Sequence, residues 1–328
     1  MPPILVDSRA VTLALTDKWL WDFWLVDDGA RSHAFYLQAP RSLGDPNLRH
    51  WNVTIGHAVS SDLERWEVLP DAFGPGAPGS WDDLTTWTGS IVRHDGRWNL
   101  LYTGTSRSER GLVQRIGLAT SDDLIRWERH RGGPVLEADP RWYELLDSDV
   151  WHDQAWRDPW VFHDPADGAF HAYVTARASR GDPRSRGVVA HARSRDLVEW
   201  EVLPPVTEPF GFGQLEVPQL VAAAGHRYLL FSSDTGTQSA ARQAEGWGTG
   251  TFALRADSAT GCFPADSLAR LDADALGSTY AGKIVSTPRG MRFLAWEGAA
   301  PGDPFRGVLS SPRAASVAAD GNLAVAPR

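Results

Sequence analysis

The stretch GHAVSSDLERW at residues 56–66 recurs twice in the chain, as GLATSDDLIRW at 117–127 and as VAHARSRDLVEW at 189–200. Each copy has an apolar strand pattern, a Ser-Asp-Leu-like turn and then a tryptophan. A Ser or Asp side chain can bond the backbone within such a turn, and the tryptophan can cover the corner. Self-similarity of this kind indicates a repeat architecture.

A second phrase recurs five times, as a turn with Gly, His or Asp followed by an alternating, aromatic-rich strand. Successive copies begin 65, 72, 58 and 64 residues apart. Such phrases predict β-hairpins, and each interval has room for about four strands. We therefore predict an all-β, five-bladed β-propeller with four-stranded antiparallel blades, because two packed sheets would not explain so long a period. The copies are ARSHAFYLQA (30–39), DGRWNLLYTG (95–104), DGAFHAYVTA (167–176), GHRYLLFSSD (225–234) and RGMRFLAWEG (289–298).

No linker divides the chain, because the Gly/Pro-rich stretch FGPGAPGS at 73–80 falls inside a repeat. We expect residues 1–328 to form a single propeller domain without a C-terminal β-sandwich. The Ala-rich tail after Pro312 should close the ring or fray. Short helices in loops are predicted near 142–146 and 268–276.

The composition narrows the classes of partner. The net charge of −9 argues against nucleic acid, which favours a basic surface. The single cysteine, Cys262, permits no intrachain disulfide. The N-terminal segment lacks the features of a secretory signal, and no apolar run is long enough to span a membrane. We expect a cytoplasmic protein with a small-molecule partner; nothing in the sequence indicates an oligomeric state.

Three of the five segments that precede the hairpins contain an acid. Asp22, Asp158 and Glu216 lie 14, 15 and 12 residues before the aromatic residue of their hairpin. In a propeller the innermost strand of each blade lines the central channel. We therefore expect the three carboxylates at equivalent positions, converging at one end of that channel.

Three carboxylates in one cavity repel one another, so at least one should hold a proton near neutral pH. Glycoside cleavage needs such a set: one acid protonates the leaving oxygen, and one carboxylate acts on the other side of the sugar. Arg157 could keep one acid ionised. A single Asp in this context is usually a turn or cap residue, and it is the shared spacing that favours catalysis.

These residues resemble the motifs of the fructosyl-acting glycoside hydrolases of families 32 and 68. The resemblance rests on three motifs: WLWDFW at 19–24, Arg157-Asp158-Pro159 and Glu216-Val217-Pro218. In the first motif Trp21, Phe23 and Trp24 replace Asn, Pro and Asn of family 32, and the form Trp-Asp-x-Trp is closer to family 68. The resemblance implies a nucleophile at Asp22, a transition-state stabiliser at Asp158 and an acid/base at Glu216, acting through a covalent fructosyl-enzyme with retention.

Aromatic and polar residues around these motifs are candidate sugar contacts, because a flat indole can cover the C–H face of a ring, although packing is the competing role. Lys283 and Tyr280 lie on the fifth inner strand and are candidates to face the channel. The ten His have no ligand-like spacing, so we predict no metal and no cofactor. The candidate sugar contacts are Trp21, Gln38, Trp51, Trp87, Ser90, Arg157, Tyr280 and Trp296, with Trp151, Trp247, His152 and Asp153 as further candidates.

The sequence therefore predicts a β-fructofuranosidase-like enzyme that hydrolyses sucrose or a fructo-oligosaccharide, or transfers fructose from it. Two alternatives remain at this point. One is an arabinofuranosidase-like furanosidase of a related five-bladed family, which would typically invert configuration. The other is a carbohydrate-binding propeller that has lost catalysis, an idea prompted by Phe23 and Trp24 beside Asp22.

Overall fold

The computed structural model describes residues 11–303 and 305–328. The strands form five antiparallel sheets, and the innermost strands contact one another in a closed cycle from the first sheet to the fifth and back. The predicted five-bladed β-propeller is therefore confirmed. Blade 1 comprises β2 (Lys18–Asp27), β3 (Ser32–Pro40), β4 (Thr54–Ser60) and β5 (Glu67–Phe73), and blade 2 comprises β6 (Thr85–His94), β7 (Arg97–Thr105), β8 (Arg115–Ser121) and β9 (Glu128–Arg129). Blade 3 comprises β10 (Trp156–Asp164), β11 (Ala169–Arg177), β12 (Gly187–Ser194) and β13 (Trp200–Leu203). Blade 4 comprises β14 (Glu216–Ala223), β15 (His226–Ser233), β16 (Thr249–Ala256) and β17 (Ala269–Asp274).

The fifth blade is assembled from both ends of the described chain. The inner strand β18 pairs with β19, and β19 pairs with two short strands, β20 and β21. The N-terminal β1 adds to β20, and β22 adds to β21. The tail after Pro312 thus completes this blade, and the ring closes there. The fifth blade comprises β1 (Val11–Leu13), β18 (Thr279–Thr287), β19 (Gly290–Glu297), β20 (Val308–Ser310), β21 (Arg313–Val317) and β22 (Leu323–Val325).

Burial decreases from the inner part of each blade to its outer edge. All nine residues of β11 are buried, because neighbouring blades cover both of its faces. The outer strand β5 has mostly exposed residues. The core therefore lies between the blades, and it positions the inner strands that line the channel.

The repeated Ser-Asp-Leu turns have the predicted geometry. Ser60 Oγ accepts a hydrogen bond from the N–H of Leu63 at 2.8 Å, and Leu63 has a φ of 65°. Trp66 Nε1 donates to the carbonyl oxygen of Leu63 at 3.2 Å, so the indole covers the corner. The Ser and Asp contacts recur at 121–125 and 194–198.

Both predicted loop helices are wrong. Residues 142–146 are irregular, because buried Tyr143 anchors them and donates from its hydroxyl to the carbonyl oxygen of Leu203 at 2.6 Å. Residues 269–274 form β17, whose pairing with β16 overrides local helix propensity. Within the described residues no helix has the length and apolar character needed to cross a bilayer. The helical segments are Ala240–Ala244 and the 3₁₀ turns Arg41–Leu43, Pro46–Trp51, Pro183–Ser185, Thr235–Thr237 and Ala265–Ser267.

Candidate active site

Each inner strand has a β-bulge at the same level of the channel. In β2, Trp21 pairs with Leu37 and Phe23 pairs with Tyr36, so Asp22 has no partner across the strand. A bulge of this kind bends the strand and redirects a side chain. The five bulges therefore turn one ring of residues toward the mouth of the channel. The corresponding register shifts lie between Trp87 and Gly89, Arg157 and Trp160, Glu216 and Gln219, and Tyr280 and Lys283.

The prediction that the three acids occupy equivalent positions is correct for Asp22 and Asp158 and wrong for Glu216. Asp22 and Asp158 are the first residues of their bulges. Glu216 still pairs with Ser232 and precedes its bulge, so its equivalent in β10 is Arg157. Carboxylates from two neighbouring levels therefore meet at one site.

A cavity of about 810 Å³ opens at this end of the channel, and all three acids line it. Most of the aromatic residues predicted to contact sugar also line it, so the channel mouth is both acidic and aromatic. Predicted residues on its wall are Asp22, Asp158, Glu216, Trp21, Trp51, Trp87, His152, Asp153, Arg157, Tyr280 and Trp296.

Asp158 is the most firmly held of the three acids. Its Oδ2 accepts hydrogen bonds from Thr175 Oγ1 at 3.0 Å and from the N–H of Val217 at 3.2 Å. Its own N–H donates to Thr103 Oγ1 at 3.0 Å, which supports a φ of 58°. Burial raises the pKa of Asp158, while Arg157 opposes that rise.

Glu216 is held between two blades. Arg157 Nη2 donates to Oε1 of Glu216, and the Tyr280 hydroxyl donates to Oε2. Burial, followed by the charge of Glu216, raises the pKa of Tyr280 well above its ordinary value, so this hydroxyl keeps its proton and can donate a hydrogen bond at neutral pH. The side chain of Glu216 is 22% exposed, and a ligand in the cavity can reach it.

Asp22 faces the cavity from blade 1. Its Oδ1 accepts a hydrogen bond from Trp296 Nε1 at 2.8 Å. Burial raises the pKa of Asp22 to about 7, and the negative charges of Asp158 and Glu216 add to the rise. The acid cluster can therefore retain a proton near neutral pH, as its sequence predicts.

Arg157 lies among three acidic side chains. Besides its contact with Glu216, its Nη1 lies 3.5 Å from Asp153 Oδ2 and its Nε lies 3.6 Å from Asp158 Oδ2. Gln114 Oε1 accepts from Arg157 Nη1 at 3.1 Å and thereby fixes the guanidinium. This guanidinium thus limits the repulsion among these three acids. Among the described residues no group of three or more His, Cys, Asp or Glu could hold a metal ion.

The sequence reasoning missed Arg49 and His50, which line the cavity from the 3₁₀ turn between β3 and β4. The Arg49 guanidinium lies 4.1 Å from the Phe305 ring centroid, and burial lowers its pKa to about 10. Trp87 Nε1 donates to the carbonyl oxygen of His50 at 3.0 Å. The signal available was the long connection 41–53, because long loops in compact domains are often functional. Gln114, Gln214 and Asp234 were missed as well.

Several predicted contacts lie away from the cavity wall. Gln38 Nε2 donates to Thr54 Oγ1 at 3.1 Å, and Ser90 Oγ accepts from the N–H of Val161 at 2.9 Å, so both side chains connect strands. The placement does not support sugar contacts by Gln38 or Ser90. The other two candidates outside the lining are Trp151, whose ring covers the Arg177 guanidinium at 3.6 Å, and Trp247, whose Nε1 donates to Glu245 at 2.7 Å.

The molecule is thus a five-bladed propeller whose channel mouth is lined by carboxylates and aromatic rings. It belongs to glycosyl hydrolase family 32, because the sequence profile of that family's N-terminal domain matches residues 25–327. The matched range includes Asp158 and Glu216, and Asp22 lies just before it.

Individual proteins show the same relationship. The chain is 32% identical over 219 residues to a sucrose:sucrose 1-fructosyltransferase of Festuca arundinacea, covering 63% of this chain and 30% of that protein. The chain therefore spans less than a third of the length of that curated relative.

Two solved structures share the fold. The Bombyx mori family 32 β-fructofuranosidase BmSUC1 superposes with a TM-score of 0.73 at 21% identity, covering 98% of this chain and 65% of that one. An inulosucrase from Halalkalicoccus jeotgali bound to kestose superposes with a TM-score of 0.72 at 22% identity, covering 97% and 91%.

Proposed function

We propose that the protein is a retaining glycoside hydrolase or transglycosylase that acts on β-fructofuranosides such as sucrose or fructo-oligosaccharides. The carrying observation is that Asp22, Asp158 and Glu216 line one cavity in three different environments. Asp22 and Glu216 are partly exposed to the cavity, whereas Asp158 is 4% exposed and pinned on several sides. Different environments are what allow chemically similar acids to take different roles.

The first step requires the state of the acid cluster in which Asp22 is ionised and the shared proton lies on Glu216. From that state Glu216 transfers the proton to the oxygen that links fructose to its leaving group. An oxygen of Asp22 attacks the anomeric carbon, the carbon–oxygen bond to the leaving group breaks, and a covalent fructosyl-enzyme forms. Oδ1 of Asp22 is occupied by Trp296 Nε1, so we assign the attack to Oδ2.

In the second step, Glu216, now a carboxylate, removes a proton from water or from a sugar hydroxyl. That oxygen attacks the anomeric carbon and releases Asp22, with net retention of configuration. Arg157 and Tyr280 hold both oxygens of Glu216, so the same side chain stays in place for both proton transfers. Water as the acceptor gives hydrolysis, and a sugar gives transfer.

Asp158 is suited to stabilising positive charge rather than to transferring protons. The bonds from Thr175 and Val217 favour its ionised form, and they leave its side chain little freedom to move. We assign it to binding ring hydroxyls and stabilising the oxocarbenium-like transition state, where preorganised charge is most effective.

The placement of Phe23 and Trp24 weakens the idea of a binding protein without catalysis. Both side chains are fully buried in the core, on the far side of the Asp22 bulge, and neither lines the cavity. The unusual first motif therefore leaves the acid exposed to the cavity. The named activity of the similar Festuca fructosyltransferase also supports fructosides as substrates.

The test is incubation with sucrose, inulin, levan and an aryl arabinofuranoside, followed by sugar analysis and NMR of the first-formed anomer. We expect release or transfer of fructose with retention, and a loss of about 10⁴-fold in kcat for Asp22→Asn and for Glu216→Gln. Asp257→Asn, which alters an almost fully exposed carboxylate, is the control. Turnover of the arabinofuranoside alone, inversion, or full activity in either variant would contradict the proposal.

A further inference from the structure

Lys283 is one of only two lysines in a sequence with 32 basic Lys and Arg residues. It follows the β18 bulge, and its side chain is almost completely buried. Its Nζ donates to the carbonyl oxygens of Val217 at 2.7 Å and Pro218 at 3.2 Å. A buried ammonium group is unfavourable unless it is hydrogen bonded or paired, so this position places a specific demand on the residue.

The two carbonyl groups that Lys283 binds belong to the bulge of β14. Val217 has a φ of 51°, which is rare for a β-branched residue. Its N–H donates to Asp158 Oδ2 at 3.2 Å, from the side of blade 3. The peptide groups on both sides of Val217 are therefore held from opposite directions, by Asp158 and by Lys283.

Lys283 also contributes charge beneath the acids. The carboxylates of Asp158 and Asp22 favour its protonated form, although burial dominates and lowers its pKa to about 7. The attraction is mutual, so the ammonium group favours the ionised forms of both acids. With Trp160 and Gln219, Lys283 lines a second cavity of about 820 Å³, separate from the one that contains the acids.

We propose that Lys283 is a positioning residue, which fixes the β14 bulge so that the Val217 N–H meets Asp158 and Glu216 projects into the cavity. This inference rests on the proposed function, because it assigns Lys283 a part in the fructosyl chemistry of those acids. The residue contacts no substrate; it acts through the backbone of Val217 and through charge.

Kinetics of Lys283→Met, Lys283→Arg and Lys18→Met on the fructoside that the wild type turns over test this role. Lys18 lies on the outside, paired with Asp71 at 3.3 Å, and is the matched control. We expect Lys283→Met to lower kcat about 100-fold, as for a misplacement of about 1 Å, and to move the acidic limb of kcat/KM to higher pH. The charges that act on Lys283 are those of Asp22 and Asp158. Because Lys283→Arg keeps a positive charge, it should return the acidic limb of kcat/KM part of the way toward its wild-type pH. A residue that only fills space would lower thermal stability without moving the limb.

A second measurement does not depend on turnover and leaves Lys283 itself unchanged. Because the chain has two lysines, ¹³Cε-lysine labelling gives two resonances, which Lys18→Arg assigns. In Asp158→Asn the Lys283 resonance should titrate at lower pH than in the wild type. Wild-type kcat and acidic limb in Lys283→Met, or an unmoved Lys283 titration in Asp158→Asn, would overturn the inference. If the wild type cleaves no fructoside, the proposed function is refuted. The titration would then still test whether Lys283 lies close enough to Asp158 to sense its charge.

Discussion

Trp296 Nε1 lies 2.8 Å from Asp22 Oδ1, although 274 positions separate the two residues in the sequence. Trp296 belongs to β19 of blade 5 and Asp22 to β2 of blade 1, so the contact crosses the seam at which the ring closes. The N–H of Leu20 donates to the carbonyl oxygen of Gly307 across the same seam at 2.8 Å. The proposed nucleophile thus depends on a donor from the opposite end of the chain.

Trp296→Phe should therefore weaken catalysis while keeping an aromatic ring against Tyr280 and Phe305. A hydrogen bond to a charged group contributes about 1.5–3 kcal/mol, which corresponds to about a 10- to 100-fold fall in kcat/KM. The acidic limb should move to higher pH, because the indole donor lowers the pKa of Asp22. Trp200→Phe, which removes an indole donor at an outer corner, is the control and should leave both unchanged.

Asp22→Asn should stabilise the protein at alkaline pH. The pKa of Asp22 is about 7 in the fold and 3.8 as its ordinary value, so between these pH values the folded state holds a proton that the unfolded state has lost. The stability from this site is present at low pH and is lost as pH rises through 7. By urea unfolding, the free energy of unfolding of the wild type should be about 2–3 kcal/mol lower at pH 8 than at pH 5. Asp22→Asn should remove this difference. An equal difference in both proteins, with Asp257→Asn as reference, would contradict the raised pKa.

Thr175→Val should reduce activity by loosening Asp158. The hydroxyl donates toward Asp158 Oδ2 and toward the carbonyl oxygen of Leu215, both at 3.0 Å. Its removal leaves buried acceptors with fewer donors, and we expect about a tenfold fall in kcat with about 1–3 kcal/mol lost from the free energy of unfolding. Thr105→Val breaks a buried hydroxyl pair with Thr85 at 2.6 Å, and should cost similar stability without lowering kcat. Equal effects of the two variants on kcat would show that Thr175 has only a structural role.

A buried pair of histidines in blade 3, His171 and His191, which the exposed Asp167 contacts through His171, should make the fold sensitive to acid. His171 Nδ1 lies 2.8 Å from His191 Nε2, and burial lowers the pKa of His191 to about 4 from an ordinary 6.5. Below pH 6.5 the unfolded chain gains a proton that the folded chain refuses, so stability falls as pH drops toward 4. Between pH 7 and pH 5 His191→Gln should lose about 2 kcal/mol less than the wild type, whereas exposed His226→Gln should match it. The same arrangement recurs in blade 1 at Asp28, His33 and His57.

The blades and the identity of the acids were predictable because both follow from local, repeated signals. The side-chain contacts that the sequence pattern predicts for the turn beginning at Ser60 are the ones found in the structure. Hairpins at a regular interval indicate radial repetition, and inner strands of such a ring face a channel. Convergence of acids from separate blades therefore required no knowledge of long-range contacts.

The exact register could not be predicted in the same way. The one-position offset of Glu216 arises from a bulge in which Val217, like Asp158, adopts a positive φ. Counting from the hairpin aromatic residue missed this offset, although aligning Pro218 with Pro159 places Glu216 level with Arg157. Arg49 was missed because it lies in a loop, where no period indicates which side chains turn inward. The helix predicted over 268–276 failed because pairing with β16 decides the structure there.

Closing the ring with strands from both ends has a consequence for biosynthesis. A nascent chain that has left the ribosome as far as β17 already contains Asp22, Asp158 and Glu216. It still lacks Tyr280, which holds Glu216, and Trp296, which holds Asp22. The acids are therefore synthesised early but gain these partners only with the fifth blade, so the site is completed when that blade emerges rather than gradually.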